Sequence, residues 1–204
     1  MKKAFTFAEI LVVLAIVGFI SAVTIPGLNN YVKNKQYRTK TLKTYAAIGQ
    51  ATDRLMFDYR STKYWPSDLY TAYGKYLNVA KKCPPSTGCN TKDKIKMANG
   101  TGFDTSYGDN GILLADGSSL IMSRGVGSVE HYGLTTADRN NAFATIQIDA
   151  NGAQPPNKWG TDRWLVIIVH GKGIVASGSA QETVGTQGGC KKIYGCLADI
   201  VKNK

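Results

Sequence analysis

The chain has 204 residues, 25 Lys and Arg against 14 Asp and Glu, and a formal charge of +11 at pH 7. That length argues for one modest core plus an N-terminal helix and against several independent domains. A surface so basic draws anionic partners, whether nucleic acid, lipid headgroups or acidic polymers, or serves only to keep the protein soluble.

The N-terminus reads Met1-Lys2-Lys3-Ala4-Phe5-Thr6-Phe7-Ala8-Glu9, followed by an apolar run from Ile10 to Ile20. Phe5 to Leu28 is long enough to cross a bilayer, which takes about 20 apolar residues. Lys2 and Lys3 would hold the N-terminus in the cytoplasm. One carboxylate, Glu9, stands near the head of the run. In hydrocarbon a charge costs about 2.5–3.5 kcal/mol on insertion scales, so Glu9 calls for a partner other than lipid. A secretory signal peptide needs a small-residue cleavage site after its apolar region. Ser21-Ala22-Val23 would serve, but this reading leaves Glu9 unexplained, as does a plain single-pass anchor.

Basic stub, small residue, Phe5-Thr6, Glu9 and apolar helix occur together at fixed spacing. The segment resembles the leader and N-terminal helix of the type IV pilin and type II secretion pseudopilin superfamily, over about the first 30 residues. Ala4 stands where that family usually has Gly, and Phe7-Ala8 where it usually has Leu-Ile. The resemblance implies a leader of residues 1–4, cut between Ala4 and Phe5, with Phe5 the N-methylated first residue of the mature chain. It implies that Glu9 acts in assembly and that Gly18 and Pro26 bound a segment that loses helicity on polymerisation. Implied partners are a prepilin peptidase, other pilins in a homo- or hetero-polymer, membrane lipid, and an inner-membrane assembly platform with its ATPase. The implied location is the bacterial inner membrane, single-pass with a periplasmic C-terminal domain, and then an extracellular or periplasmic filament. The implied fold is α+β, a long N-terminal helix packed against a C-terminal antiparallel sheet.

Residues 5–28 thus form the membrane and polymerisation half of one helix reaching about Arg60, and residues 29–204 the globular domain. In the second half, over 29–60, Leu42, Tyr45, Ile48, Leu55 and Tyr59 recur at helical steps, with Ala46, Ala51 and Met56 beside them, making one apolar face. Pro26 lacks an N–H and should kink or loosen the helix. Tyr64-Trp65-Pro66 ends it, and Ser67 caps a short helix from about Asp68 to Leu77. Met97 to Asn110 reads as loop. A sheet follows over about 111–177. Gly111–Ala115 and Ser119–Met122 flank Asp116-Gly117, a favoured hairpin turn. Phe143 to Asp149 alternates, Trp164 to Val169 is continuously apolar as in a strand buried on both sides, and Gly171-Lys172-Gly173 turns into Ile174-Val175-Ala176.

Four cysteines form two equal spacings, Cys83 with Cys89 and Cys190 with Cys196. Both gaps exceed the two to four residues typical of structural zinc, and an exported domain meets an oxidising compartment. Local bridges Cys83–Cys89 and Cys190–Cys196 are favoured, with cross pairing the competitor. No catalytic constellation is present. His131 and His170 have no ligand at metal spacing, Gly125-Val126-Gly127 lacks the context of a phosphate loop, and no carboxylates pair. The stretch from Asp149 to Asp162 carries Asp149, Asn151, Asn157 and Asp162, a candidate calcium set that departs from the EF-hand pattern at Ala153 and Gln154. It is similar to loops of pseudopilin-like proteins, some of which bind calcium, and an Asx-rich turn is the competing reading. The expectation is a non-enzymatic filament subunit, with no cofactor unless that loop takes calcium. The alternatives are a DNA-binding minor pilin and an anchored protein that never polymerises.

Overall fold

A computed structural model describes residues 6–83, 95–103, 110–127, 132–152, 154–180 and 189–202. Helix α1 spans Phe7–Tyr59, starting from Thr6 and continuing through Gly18 and Pro26. The chain divides into two units, residues 1–36 and 37–204. In the first, Phe7, Ile10, Leu11, Leu14, Val17 and Phe19 are all exposed, although they point in every direction around the helix. Such a segment is long and apolar enough to cross a membrane by length and composition.

The second unit is built on a six-stranded antiparallel sheet in the order β1-β4-β5-β6-β7-β8. Its strands are β1 Val79–Cys83, β4 Asn110–Leu114, β5 Ser119–Arg124, β6 Ala142–Asp149, β7 Arg163–Val169 and β8 Gly173–Ala176. A separate two-stranded ladder joins β2 Ile95–Lys96 to β3 Gly102–Phe103. Short helices α2 Leu69–Tyr73, α3 Thr136–Asn140, α4 Gly189–Lys192 and α5 Leu197–Lys202 complete the domain. The Asp116-Gly117 turn forms as expected. Leu114 N–H donates to Ser118 O at 2.8 Å, and Gly117 takes φ +83°, open to a residue without Cβ.

The continuous apolar run of β7 has a direct explanation. Side chains alternate along a strand, and both faces are covered. Trp164, Val166 and Ile168 join Ile48, Leu55, Leu120 and Ile146 in one cluster. Leu165, Ile167 and Val169 join Ile95, Leu134 and Trp159 in the other. Every residue of β7 is buried, and each large aliphatic contributes about 1.5–3 kcal/mol of burial.

Several expectations need correction. The buried face of α1 is Thr41, Thr44, Ile48, Ala51, Thr52 and Leu55, whereas Ala46 is exposed and Leu42, Tyr45, Met56 and Tyr59 are half-buried. Two of the three threonine hydroxyls are bonded, that of Thr44 to the Ser118 hydroxyl at 3.5 Å and that of Thr52, whereas Thr41 Oγ1 is buried without a partner among the described residues. Thr52 donates to Ile48 O at 2.8 Å and meets the Tyr73 hydroxyl at 2.6 Å. The helix does end where expected, at Tyr59 against about Arg60. Arg60 takes φ 58°, and a 3₁₀ turn at Thr62–Tyr64, capped by Ser61, follows. Ser67 caps nothing: α2 is shorter than expected and its N-cap is Asp68, without a side-chain cap bond. The stretch expected as loop after Met97 contains β3, and β1 was not anticipated because its outward residues are Lys81 and Lys82 rather than apolar. Lysines on an edge strand are a common guard against edge-to-edge pairing.

Candidate functional site

Thr6 and Glu9 form a reciprocal cap at the start of α1. Thr6 N–H and Thr6 Oγ1 both donate to Glu9 Oε2 at 2.8 Å. Glu9 N–H donates to Thr6 Oγ1 at 3.3 Å. This is the Ser/Thr-x-x-Glu capping box, in which the residue three places into the helix reaches back to the cap. Within the single chain, Glu9 thus finds its hydrogen-bond donors in its own first turn. The spacing Thr6-Phe7-Ala8-Glu9 carried that signal in the sequence. Ala4 and Phe5, the expected processing site, lie outside the described residues. Gly18 and Pro26 both lie inside continuous helix. A Cβ on Gly18 would meet nothing within 4 Å. Near the proline, Thr24 Oγ1 donates to Ile20 O at 2.9 Å.

Cys190 and Cys196 are bridged, with Cα atoms 5.1 Å apart. Cys83 is itself disulfide-bonded, and its expected partner Cys89 lies outside the described residues. The 190–196 bridge is buried and rests on Gly178, where a Cβ would come 2.8 Å from Cys190 Sγ and 2.6 Å from Cys196 Cβ. Ser177 extends the tie: its N–H donates to Leu165 O at 3.2 Å, and its Oγ bonds Gly195 O and Leu197 N–H, each at 3.2 Å. The bridge thus ties α4 to the residue before α5, packed on Gly178, and the Ser177 bonds hold this segment to the end of β8.

The loop from Asp149 to Asp162 closes through Ala150 N–H donating to Asp162 O at 2.8 Å. The Asp162 carboxylate accepts Asn157 N–H at 2.9 Å and Lys158 N–H at 2.7 Å, one on each oxygen. Asn151 Nδ2 donates to Gln154 O at 2.9 Å and Pro155 O at 3.0 Å. This is the Asx-turn chemistry that competed with calcium. Asp149 faces Arg163 across the β6–β7 pair, with Arg163 Nη1 3.6 Å from Asp149 Oδ2 and both side chains no more than 2% exposed. Burial pushes the Asp149 carboxyl up to about 7, although Arg163 pulls it down. Burial also raises Asp162, which its bonds to Lys158 and Asn157 N–H oppose.

A calcium ion needs six to eight oxygens and strong negative charge. Here Asp162 is spent on backbone donors and Asp149 faces a buried guanidinium. What remains is Asn151 Oδ1 and Asn157 Oδ1, buried without a hydrogen-bond partner. Among the described residues no group of three or more His, Cys, Asp or Glu is placed to hold a metal. The four candidate residues do not fit calcium in this arrangement, because Arg163 already supplies the positive charge. The sequence shows Arg163 and Lys158 close to this loop, but the apposition of Arg163 to Asp149 needs the register of β6 on β7. His170 is engaged through Nδ1 with the Thr62 hydroxyl, and His131 lies outside the described residues.

No family model, curated protein or solved structure matches the chain. The class defined by the structure alone is an α+β protein. It has a long N-terminal helix, apolar and exposed in its first half, and its second half packs on an antiparallel sheet.

Proposed function

We propose that the chain is a non-enzymatic filament subunit of the pilin or pseudopilin kind, anchored by α1 before assembly and polymerised through it. The reading includes cleavage between Ala4 and Phe5 by a prepilin peptidase. It also includes handling by an inner-membrane platform and ATPase, and display of residues 29–204 in the periplasm or beyond. One observation carries it: the first half of α1 is apolar on every side with its large apolar residues exposed, and a lone carboxylate, Glu9, stands in its first turn. An anchor needs only the apolar part. Calcium has no place in this reading, since Arg163 stands beside Asp149.

The role assigned to Glu9 is pairing with the Phe5 amine of a neighbouring subunit, an amine that exists only after cleavage. The competing role is helix capping alone, and substitution separates the two. Thr6→Ala removes the cap's donor hydroxyl and leaves the carboxylate. Glu9→Gln keeps a residue competent in the capping box but removes its charge. In sheared-filament fractions, Glu9→Gln should be depleted at least tenfold while Thr6→Ala stays close to wild type. Equal incorporation of Glu9→Gln, in cells lacking wild-type subunit, would refute the assembly role. Mass spectrometry should find a mature chain beginning at methylated Phe5; a start near Val23 would refute the processing step.

A second reading, nucleic-acid capture, has one observation in its favour. Phe57 and Tyr64 are 86% and 67% exposed and lie close in sequence to Arg54, Arg60 and Lys63. Exposed aromatics among cations suit stacked bases and phosphates. Binding of a single-stranded oligonucleotide that weakens steeply with salt and is lost in Phe57→Ala would support it; binding indifferent to both would exclude it.

A further inference from the structure

Asn99-Gly100-Thr101 is the only Asn-x-Ser/Thr triplet in the chain. The pattern is that of an N-glycan acceptor on the surface of an exported domain. Such triplets also arise by chance, and the setting of this one is what distinguishes it. It sits at the tip of the β2–β3 ladder, wholly within the unit of residues 37–204. Asn99, Gly100 and Thr101 are all exposed. Thr101 N–H donates to Asn99 Oδ1 at 2.9 Å, an Asx-turn that joins the first and third residues of the triplet. Thr101 O accepts Met97 N–H, and Met97 O accepts Gly100 N–H, each at 2.8 Å. Gly100 takes φ +90°, and a Cβ there or on Gly102 would meet nothing within 4 Å. The space over the turn is therefore open. The side-chain carbonyl of Asn99 is committed to the backbone, whereas Asn99 Nδ2 and the Thr101 hydroxyl have no hydrogen-bond partner among the described residues.

Below the tip the ladder is firmly held. Lys96 N–H donates to Asn157 O at 3.0 Å, and Lys96 O accepts Trp159 N–H at 2.9 Å. Ala98 N–H donates to Ile193 O at 2.9 Å. Ile95 packs with Leu134, Trp159 and Ile167, whereas Ile48 and Leu55 of α1 join the cluster on the other face of the sheet. A bulky group on Asn99 thus stands on the side of the sheet away from α1. An Asn-Gly pair by itself serves to close a hairpin. That accounts for Asn99 and Gly100 and leaves the hydroxyl of Thr101 without a task.

We propose that Asn99 is a modification site, the acceptor of an N-linked oligosaccharide delivered from a lipid-diphosphate carrier by a transferase outside the cytoplasm. Asn99 Nδ2 forms a bond to the anomeric carbon of the first sugar. The bond from that carbon to the diphosphate oxygen breaks, and the lipid diphosphate leaves with the bonding pair. One Nδ2 proton passes to a base of the transferase. The attached glycan is bulky and solubilising, and the open space over the turn admits it without displacing any part of the sheet.

The inference rests on the part of the proposed function that displays residues 29–204 outside the cytoplasm; it does not need polymerisation. The full chain is purified from the cells that naturally make it, digested with trypsin and read by tandem mass spectrometry. Peptide 97–124 carries the site, since no Lys or Arg falls between Lys96 and Arg124. The state of Cys190 and Cys196, bridged in the structure, is read in the same digest and reports export to an oxidising compartment. The expected result is a bridged pair and a sugar-bearing peptide whose fragments place the glycan on Asn99. Asn99→Asp should lose the glycan completely and keep the turn, because a carboxylate still accepts Thr101 N–H. Thr101→Ala should also lose it, and Thr101→Ser should keep it. A bridged pair with bare Asn99, or with Asn99 merely hydrolysed to Asp, overturns the site and leaves export standing. Reduced Cys190 and Cys196 with a bare peptide overturn both. Sugar retained in Asn99→Asp, or placed on a Ser or Thr of the same peptide, also overturns the site.

Discussion

Asp149 sets a test of how the β6–β7 loop is held together. Its carboxyl is 2% exposed, its nearest cation is Arg163 at 3.6 Å, and burial raises its folded pKa from 3.8 to about 7. A carboxyl raised in this way binds its proton more tightly folded than unfolded. Its contribution to stability is therefore fully present below about pH 4 and lost as pH rises toward about 7. Each pH unit in that window is worth about 1.4 kcal/mol, which bounds the loss at about 4 kcal/mol. Arg163 and Asp162 couple to the same proton, so a loss of about 1–3 kcal/mol is the working expectation. Burial would raise the Asp116 carboxyl, but its bonds to Ser118 and its neighbours Lys40 and Lys43 together bring it below its ordinary value. It has the opposite slope, so the comparison must be differential. Urea unfolding of detergent-solubilised protein between pH 4 and pH 7, followed by Trp fluorescence, supplies it. Trp159 lies 5.5 Å from the Arg163 guanidinium and reports the site directly. Wild type minus Asp149→Asn should fall by that amount as pH rises. A flat or rising difference would refute the assignment of a buried, protonatable carboxyl to this position.

Other outcomes follow from the same geometry. Cys190→Ser with Cys196→Ser should cost about 2–3 kcal/mol in urea midpoints, from the entropy of a short closed loop, and proteolysis should reach α4 and α5 first; unchanged protease patterns would contradict the fastening role. Gly178→Ala should cost at least about 1–3 kcal/mol, because its φ of +80° and a Cβ 2.6 Å from Cys196 Cβ leave no room; a neutral effect on thermal melting would show that the contact yields. Millimolar calcium and chelator should give equal melting midpoints for the wild-type chain, whereas a rise of several degrees with calcium would show that Arg163 is displaced by the ion.

The parts of the fold legible in the sequence were those governed by period and turn chemistry. The β4–β5 hairpin followed from Asp116-Gly117, and β7 from the continuous apolar run Trp164 to Val169, all of it buried. The bridge between Cys190 and Cys196 followed from spacing and compartment. Features that needed tertiary partners were not legible. Thr41, Thr44 and Thr52 were not among the residues expected to form the buried face of α1, but all three are buried, two of them against hydroxyls from Ser118 and Tyr73. Strand β1 showed no apolar alternation because three of its residues face outward as an exposed edge. The burial of Arg163 opposite Asp149 depends on the register of β6 on β7, which the sequence does not show.

Glu9 shows how one residue can satisfy two demands without conflict. A carboxylate accepts about four hydrogen bonds, and both donors from Thr6 fall on Oε2. Capping thus occupies one oxygen, and the other remains geometrically suited to a further donor. In the single chain the cap makes the carboxylate tolerable at the head of an apolar helix, since a charge with local donors is less costly than a bare one. A neighbour's amine would add the opposite charge where water is excluded, where attraction is strong but desolvation offsets much of it. Because the cap already holds the side chain in one orientation, ordering it for that pairing costs little further entropy. On the proposed reading, the capping box orients Glu9 for a neighbour's amine in addition to satisfying it within the chain. For that reason Thr6→Ala should weaken assembly slightly, while Glu9→Gln, with the cap intact and the charge gone, should block it.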